Sequence, residues 1–321
     1  MDVLVTGGAG FVGSHLSERL ISEGHRVTVL DDFSTGRKSN LEQLSQDSNF
    51  KLVVGSVLDS SLLKPLINRS DFVFHLAAAV GVFNIVNNPL QSLLTNIRGT
   101  ENVLELALEK KVPVFISSSS EVYGKNVSDS LKETDDRILG SPVTLRWSYS
   151  EAKAIDESLA YAYFIEKKLE TRIVRFFNTV GPRQLGAYGM VVPRFVKAAL
   201  TNEPITIYGD GTQTRCFAHV YDVVDAVIAI AFAQNTIGKV INIGNDFEIS
   251  INGLAEKIIE ETISKSEIVY VPYAEAYGEG FEDMERRVPN IDLIRDLVGW
   301  QPKRDLSSMI ADISSEMQKI L

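Results

Sequence analysis

Short apolar runs alternate with helical periodicity through the first half of the chain. Each run is followed by turn or polar residues and then by apolar positions spaced three or four apart. Fully apolar strands separated by helical stretches are typical of a parallel sheet covered by crossover helices. Five such runs occur, at residues 3–5, 27–30, 52–54, 72–76 and 114–116, and a further strand is predicted at residues 172–175, after a long helix.

From about residue 178 the alternation of apolar runs with helical periodicity becomes less regular. Segments 205–208, 221–233, 240–243, 251–263 and 291–298 mix short strands with helices, which predicts a smaller lobe. We therefore predict an α/β fold in which a Rossmann-type doubly wound parallel sheet, residues 1–177, carries a smaller mixed α/β C-terminal substrate lobe, residues 178–321. The boundary is soft, because the chain can cross between the lobes more than once.

Composition narrows the class of protein. The 321 residues, 45% of them hydrophobic, suit one large or two modest domains. A formal net charge of -10 argues against nucleic-acid binding, which needs a basic face. The single cysteine, Cys216, excludes an intrachain disulfide and a cysteine-based zinc site, so we expect a cytoplasmic protein. The chain starts without a basic region or a long apolar run, so we expect no signal peptide and no membrane partner.

A glycine-rich turn follows the first predicted strand directly and opens a helix. Gly7, Gly10 and Gly13 suit a tight turn and let the backbone approach a pyrophosphate at the helix N-terminus. The second strand ends at Asp31, whose carboxylate can accept hydrogen bonds from ribose hydroxyls and would repel a 2'-phosphate, so NAD is favoured over NADP. The basic residues 37–38 are interpreted as a solvated turn.

Tyr149 and Lys153 are four residues apart, which on a helix places both side chains on one face. The ammonium of Lys153 should lower the pKa of Tyr149, so that the phenolate can take a proton from a sugar hydroxyl. An ordinary amphipathic helix is the alternative interpretation, because chance often supplies this spacing.

These motifs, with residues 74–78 and the run from Ser117 to Gly124, make the chain resemble the extended short-chain dehydrogenase/reductase family, and within it the nucleotide-sugar branch. The resemblance implies a Rossmann domain with a small substrate lobe and bound NAD. One departure is Ser56, where the family usually has an Asp that contacts adenine. The cofactor contacts so implied are Gly7, Gly10, Phe11, Val12, Gly13, Asp31, Asp32, Ser56, Val57, Leu76, Ala77, Ala78, Asn96, Tyr149 and Lys153.

The same resemblance assigns the catalytic residues. Ser119 takes the place of the Ser or Thr that hydrogen-bonds the sugar 4-hydroxyl beside Tyr149, and Lys153 supports the phenolate. Where Glu121 stands, simple 4-epimerases usually carry a small residue; uronate decarboxylases carry Ser-Glu, as at Ser120 and Glu121, and dehydratases carry Asp-Glu. A solvated carboxylate at the strand end is the alternative for Glu121.

Residues 145–149 and 277–289 resemble UDP-glucuronate decarboxylases, more narrowly those of the polymyxin-resistance and plant UDP-apiose/xylose synthase types. Arg287 matches an Arg that faces the sugar carboxylate, a role that suits a bidentate guanidinium; a pyrophosphate contact is equally open. Arg194 is interpreted as solvated on a helix surface. The substrate contacts implied are Asn178, Val192, Arg215, Tyr277 and Arg287.

The resemblance favours an enzyme that oxidises a nucleotide sugar at C4 with NAD, namely a UDP-glucuronate decarboxylase. A UDP-sugar 4-epimerase is the chief alternative, followed by a 4,6-dehydratase and by a non-catalytic NAD-sensing scaffold. The four histidines lack metal-ligand spacing, so no metal is expected. The family implies a homodimer paired through the helix that carries Tyr149 and the helix around residues 96–109.

Overall fold

The computed structural model describes residues 1–321 except 82–86, 185, 187–189, 273–274, 276–283, 285 and 320. Its strands are β1 (Asp2–Thr6), β2 (Arg26–Asp31), β3 (Phe50–Val54), β4 (Phe72–His75), β5 (Val114–Ser119), β6 (Thr171–Phe176), β7 (Thr179–Val180), β8 (Ile205–Tyr208), β9 (Thr214–Cys216), β10 (Ala218–His219), β11 (Val240–Ile243), β12 (Glu248–Ser250) and β13 (Ile268–Val271). Its helices are α1 (Phe11–Ser22), α2 (Ser60–Ile67), α3 (Pro89–Lys110), α4 (Ser148–Lys167), α5 (Val191–Thr201), α6 (Val220–Phe232), α7 (Ile251–Thr262), α8 (Asp292–Val298) and α9 (Leu306–Gln318).

Seven strands form the main sheet in the order β3-β2-β1-β4-β5-β6-β11, and every neighbouring pair is parallel. This confirms the predicted doubly wound sheet. The strand order reverses between β1 and β4, and ligands of such sheets bind outside the carboxyl ends of the strands at this point.

Alternate residues of each strand face opposite helical layers, which explains why the runs are apolar throughout. In β1, Val3 and Val5 are buried in the same cluster as Leu16 of α1 and Ile230 of α6. Leu4, between them, belongs to the cluster packed by α2, α3 and α4. The sheet is therefore covered on both faces.

The strand predicted at residues 240–243 joins the main sheet instead of the smaller lobe. β11 pairs in parallel with β6, Val240 opposite Ile173 and Ile243 opposite Phe176. The chain thus returns to the first domain after leaving it. Nothing in the local sequence of a four-residue strand identifies its partner, so only the packing of the folded chain decides this pairing.

The smaller lobe packs α5, α7 and α9 around a separate apolar cluster with β8. Short pairs complete it: β8 with β13, β9 with β12 and β7 with β10. Among the described helices, none is both long and apolar enough to cross a membrane.

Three distant segments are tied together beside the smaller lobe. Leu131 N donates to Val288 O at 2.8 Å, and Asn290 N donates to Leu131 O at 2.9 Å. Asn242, in β11, donates from Nδ2 to the same Leu131 oxygen at 2.9 Å. This frame fixes the backbone directly after Arg287.

Candidate active site

One cleft, with a volume of 530 Å³, follows the carboxyl ends of the main-sheet strands and is completed by the smaller lobe. Most of the residues predicted from the sequence to bind cofactor or substrate, or to act in catalysis, line it: Gly7, Gly10, Phe11, Val12, Gly13, Asp31, Asp32, Ser56, Val57, Leu76, Ala77, Ala78, Ser119, Ser120, Glu121, Tyr149, Asn178, Val192, Arg215 and Arg287.

Two predicted site residues lie beneath the cleft and not on its wall. Asn96 is buried, accepts from Ala79 N at 2.8 Å and donates to Ala79 O at 3.3 Å, so it fixes the loop after β4. Lys153 is buried against the sheet. Tyr277, a predicted substrate contact, lies outside the described residues.

The glycine turn brings the backbone of β1 against the loop after β4. Gly7 has φ +73°, and a Cβ there would lie 2.6 Å from Ala77 N. A Cβ on Gly13, in the first turn of α1, would lie 2.2 Å from Gly7 O. Only glycine allows this close approach, which leaves room for a pyrophosphate at the helix N-terminus.

Asp31 stands at the end of β2 with both carboxylate oxygens engaged by backbone. Oδ2 accepts from Ala9 N and Oδ1 from Phe33 N, each at 2.8 Å. Burial raises the pKa of Asp31, and these two bonds oppose the rise. The next cleft residue along this edge, Ser56, accepts from Leu58 N at 3.3 Å.

Tyr149 lies in the first turn of α4 and lines the cleft together with Ser119, at the end of β5. The predicted lowering of its pKa is wrong for this structure. Burial raises the pKa of Tyr149, as do the negative charges of Glu121 and Asp156, while Arg287 lowers it.

The position of Lys153 explains that difference. Its Nζ donates to Ser117 O at 2.9 Å and to Asp156 Oδ2 at 3.0 Å, inside the protein. The Asp156 carboxylate is fully buried and cancels the ammonium charge. A carboxylate three residues after Lys153 is readable in the sequence as an ion-pair partner, and our sequence interpretation missed it.

Glu121 is held between two guanidinium groups. Its Oε2 accepts from Arg146 Nη1 at 2.6 Å, and its Oε1 accepts from Arg287 Nη1 at 2.5 Å. Burial alone would raise the pKa of Glu121, but the two arginines outweigh it and lower the pKa to about 2. Arg287 Nη2 also donates to Asn178 Oδ1 at 2.6 Å.

Arg146 was not singled out from the sequence. It belongs to a 3-10 turn, Leu145–Trp147, directly before α4, and its guanidinium lies 5.3 Å from the centre of the Trp147 ring. The available signal was its place three residues before Tyr149, which predicts the same face of the helix start.

Arg194 lines the cleft, which corrects its interpretation as a solvated surface residue. Its guanidinium stacks 4.2 Å from the centre of the Tyr208 ring, and Nη2 donates to Thr206 O at 3.0 Å. Arg215, buried, donates to Thr214 O at 2.7 Å. This half of the cleft is therefore rich in arginine.

His75 is buried between two threonine hydroxyls, 2.8 Å from Thr6 Oγ1 and 3.2 Å from Thr100 Oγ1. Burial lowers its pKa to about 3, so the imidazole is neutral. Within the described part of the chain, no group of three or more His, Cys, Asp or Glu side chains could hold a metal ion.

Comparison with known proteins gives consistent matches. The family model for GDP-mannose 4,6 dehydratase matches residues 4–313. UDP-N-acetyl-alpha-D-glucosaminuronate decarboxylase of Bacillus cytotoxicus is 42% identical over 300 residues, 93% of this chain and 92% of that protein. UDP-glucuronic acid decarboxylase 1 of Danio rerio is 36% identical over 98% of this chain and 73% of that protein. The structure of UDP-glucuronic acid 4-epimerase from Bacillus cereus, in complex with UDP-glucuronic acid and NAD, matches with a TM-score of 0.90 at 28% identity, covering 100% of both chains.

Proposed function

The chain belongs to the GDP-mannose 4,6 dehydratase family of enzymes, and from this premise we propose that it is an NAD-dependent decarboxylase of UDP-glucuronate. The observation that carries the proposal is Arg287, which is buried in the cleft with Glu121 and Asn178 as partners. A guanidinium in this position suits a sugar carboxylate. Two relatives whose names specify decarboxylation of a UDP-linked uronate support the same chemistry.

The cofactor end of the cleft fits NAD. The backbone cradle at Gly7 and Gly13, which a Cβ would fill, suits the pyrophosphate. Asp31 lies in the same cleft at the end of β2, which supports a contact with a ribose, and its charge disfavours the 2'-phosphate of NADP. When bound, NAD accepts a hydride from sugar C4 and can return it.

The residues at the end of β5 and the start of α4 act in the first step, the oxidation of the sugar at C4. Ser119 orients the sugar 4-hydroxyl, and Tyr149 takes its proton as C4 is oxidised to a ketone. Burial favours the neutral phenol, whereas the positive charge of Arg287 favours the phenolate.

The second step follows from the new ketone. The C6 carboxylate is then beta to C4, so the C5–C6 bond breaks, carbon dioxide leaves, and the electron pair forms an enolate between C5 and C4. Arg287 pairs with the carboxylate and then stabilises the enolate. A proton returns to C5, and with the cofactor bound the C4 ketone would be reduced again.

A 4-epimerase of the same sugar is the second candidate, favoured by the fold match to the UDP-glucuronic acid 4-epimerase of Bacillus cereus. A 4,6-dehydratase is opposed by Glu121. Its pKa of about 2 makes its carboxylate a weak base for removing the C5 proton.

The test is incubation of the protein and NAD with UDP-glucuronate, UDP-glucose and UDP-N-acetylglucosamine, followed by mass spectrometry. We expect UDP-glucuronate to lose carbon dioxide and the two neutral sugars to remain. Conversion of UDP-glucose to its 4-epimer with UDP-glucuronate untouched would refute a decarboxylase, and loss of water would indicate a dehydratase.

We also propose that two copies pair through α3 and α4, which pack against each other. On α4, Ile155, Tyr161 and Ile165 leave 41%, 48% and 46% of their surface exposed, and pairing would cover them. Sedimentation equilibrium tests this directly, since a monomeric mass at micromolar concentration contradicts it.

A further inference from the structure

An ion pair connects two segments of the chain that each carry an arginine of the cleft. Arg286 Nε donates to Glu248 Oε1, and Arg286 Nη2 donates to Glu248 Oε2, each at 2.8 Å. Two parallel hydrogen bonds to one carboxylate fix the orientation of a guanidinium as well as its distance. Because Arg286 directly precedes Arg287, this pair holds the backbone at the entry to a cleft residue.

The same carboxylate also holds the strand that carries the second arginine. Glu248 Oε1 accepts from the hydroxyl of Thr214 in β9, the residue before Arg215. β9 and β12 are antiparallel, with Ile249 opposite Arg215. Arg215 and Arg287 are both buried and both line the cleft. One carboxylate therefore joins the sequence neighbours of both arginines.

Each of the two segments has an anchoring residue followed by a residue that enters the cleft. Neighbouring residues of a strand point to opposite faces, so Thr214 meets Glu248 on one face of β9 while Arg215 points from the other. Arg286 and Arg287 diverge in the same way, since Arg287 donates to Glu121 and not to Glu248. The anchors are thus arranged to place the arginines.

Arg286 has a further contact, since its Nη1 donates to Asp129 O at 2.5 Å. Hydrogen bonds from Arg286 and then from Thr214 lower the pKa of Glu248, so its carboxylate is ionised at neutral pH. The side chains of Arg286 and Glu248 are 39% and 27% exposed. Water screens an ion pair of this exposure, so we expect it to add little to the stability of the whole fold.

We propose that Glu248 and Arg286 are positioning residues of the substrate site, whose ion pair sets the spacing between Arg215 and Arg287. A ligand with two anionic groups is held by two guanidinium groups only when their spacing matches its own. The inference rests on the proposed function, in which Arg287 binds the sugar carboxylate of a UDP-linked uronate. The guanidinium of Arg215 suits the diphosphate of the same ligand.

The test measures calorimetric binding of UDP-glucuronate and of UDP to NAD-loaded protein in a Tyr149→Phe background, which prevents turnover. UDP has no sugar carboxylate, so it reports on Arg215 without Arg287. We expect Arg286→Ala to weaken UDP-glucuronate about tenfold and UDP about twofold or less. Thr214→Val should weaken both ligands by a similar factor of about three.

Glu248→Ala removes both connections and should weaken UDP-glucuronate about 30-fold. Adding Arg286→Ala to it should cause no further loss, because the two residues act as one unit. Arg286→Lys keeps the charge but cannot donate two parallel hydrogen bonds, so its affinity should lie between those of the parent and Arg286→Ala. NAD affinity should be unchanged in all of these variants, and the melting temperature should fall by about 4 °C or less.

Glu261→Ala is the matched control. Glu261 is 30% exposed and pairs with Lys257 at 2.9 Å in the same lobe. Its removal should leave the affinity for both ligands unchanged, although it costs an ion pair of similar exposure.

An equal loss for UDP-glucuronate and UDP in Arg286→Ala, or additive losses in the double variant, overturns the inference. So does a loss in Glu261→Ala as large as that in Glu248→Ala. The mass-spectrometric assay of the unmodified protein separates these outcomes from failure of the proposed function. If the protein decarboxylates UDP-glucuronate while the losses are equal or additive, only the positioning role is wrong.

Discussion

At the cofactor end of the cleft, the close contacts are made by backbone. Gly7 and Gly13 form the turn, and two backbone N–H groups donate hydrogen bonds to the Asp31 carboxylate. At the substrate end, the close contacts are made by long charged side chains, Arg287 and Glu121 foremost. A backbone cradle is preformed and is damaged by adding atoms, whereas a charge network is damaged by removing them. The two ends should therefore respond oppositely to substitution.

Tyr149→Phe should have the largest effect, because it removes the hydroxyl group that we propose as the proton acceptor of the first step. We expect kcat to fall about 10³-fold with NAD affinity unchanged, measured by steady-state kinetics and cofactor titration. Tyr123→Phe is the matched control, since that hydroxyl is also buried and donates to Asn242 at 2.8 Å. It should cost about 1 kcal/mol of stability and leave kcat nearly unchanged. Full activity of Tyr149→Phe would remove the tyrosine from the mechanism.

Gly13→Ala should have the second largest effect, because it adds an atom to the backbone cradle. The added Cβ would meet Gly7 O at 2.2 Å, so the turn must shift, and we expect NAD affinity to fall about 10- to 100-fold in a fluorescence titration. At Gly186 the nearest atom to an added Cβ is 3.5 Å away, so Gly186→Ala controls for glycine loss. Unchanged affinity in Gly13→Ala would contradict a backbone-built cradle.

Ser56→Ala should have the smallest effect. It removes only a hydroxyl that accepts from Leu58 N at 3.3 Å, so NAD affinity should change by about threefold or less in the same titration. A loss as large as that of Gly13→Ala would mean that a side chain carries cofactor binding, and the contrast between the two ends would fail.

The sheet and the glycine turn could be predicted because their signals are local. Apolar runs such as residues 3–5 and the spacing of Gly7, Gly10 and Gly13 each lie within a few residues. The pairing of β11 with β6 could not be predicted, because it depends on packing between segments far apart in the sequence.

At the substrate end, sequence identified the residue types but not their partners. The bond from Arg146 to Glu121 spans 25 residues and the bond from Arg287 to Glu121 spans 166. No spacing rule reaches so far. The predicted lowering of the Tyr149 pKa was wrong for a related reason. Burial and the charge of Glu121 raise this pKa, and both depend on the folded structure.

The hydrogen bonds that join Leu131, Asn242 and Asn290 next to Arg287 have a consequence for how the protein is made. A nascent chain leaves the ribosome N-terminus first, so the glycine turn and Asp31 are synthesised well before residue 287. The backbone beside Arg287 is tied down only when residues 288–290 meet Leu131. Translation that stops short of residue 287 therefore yields a chain that lacks the arginine proposed to bind the sugar carboxylate, and that also lacks Ile291, Ile294 and Trp300, which pack in the same cluster as β1 and α1.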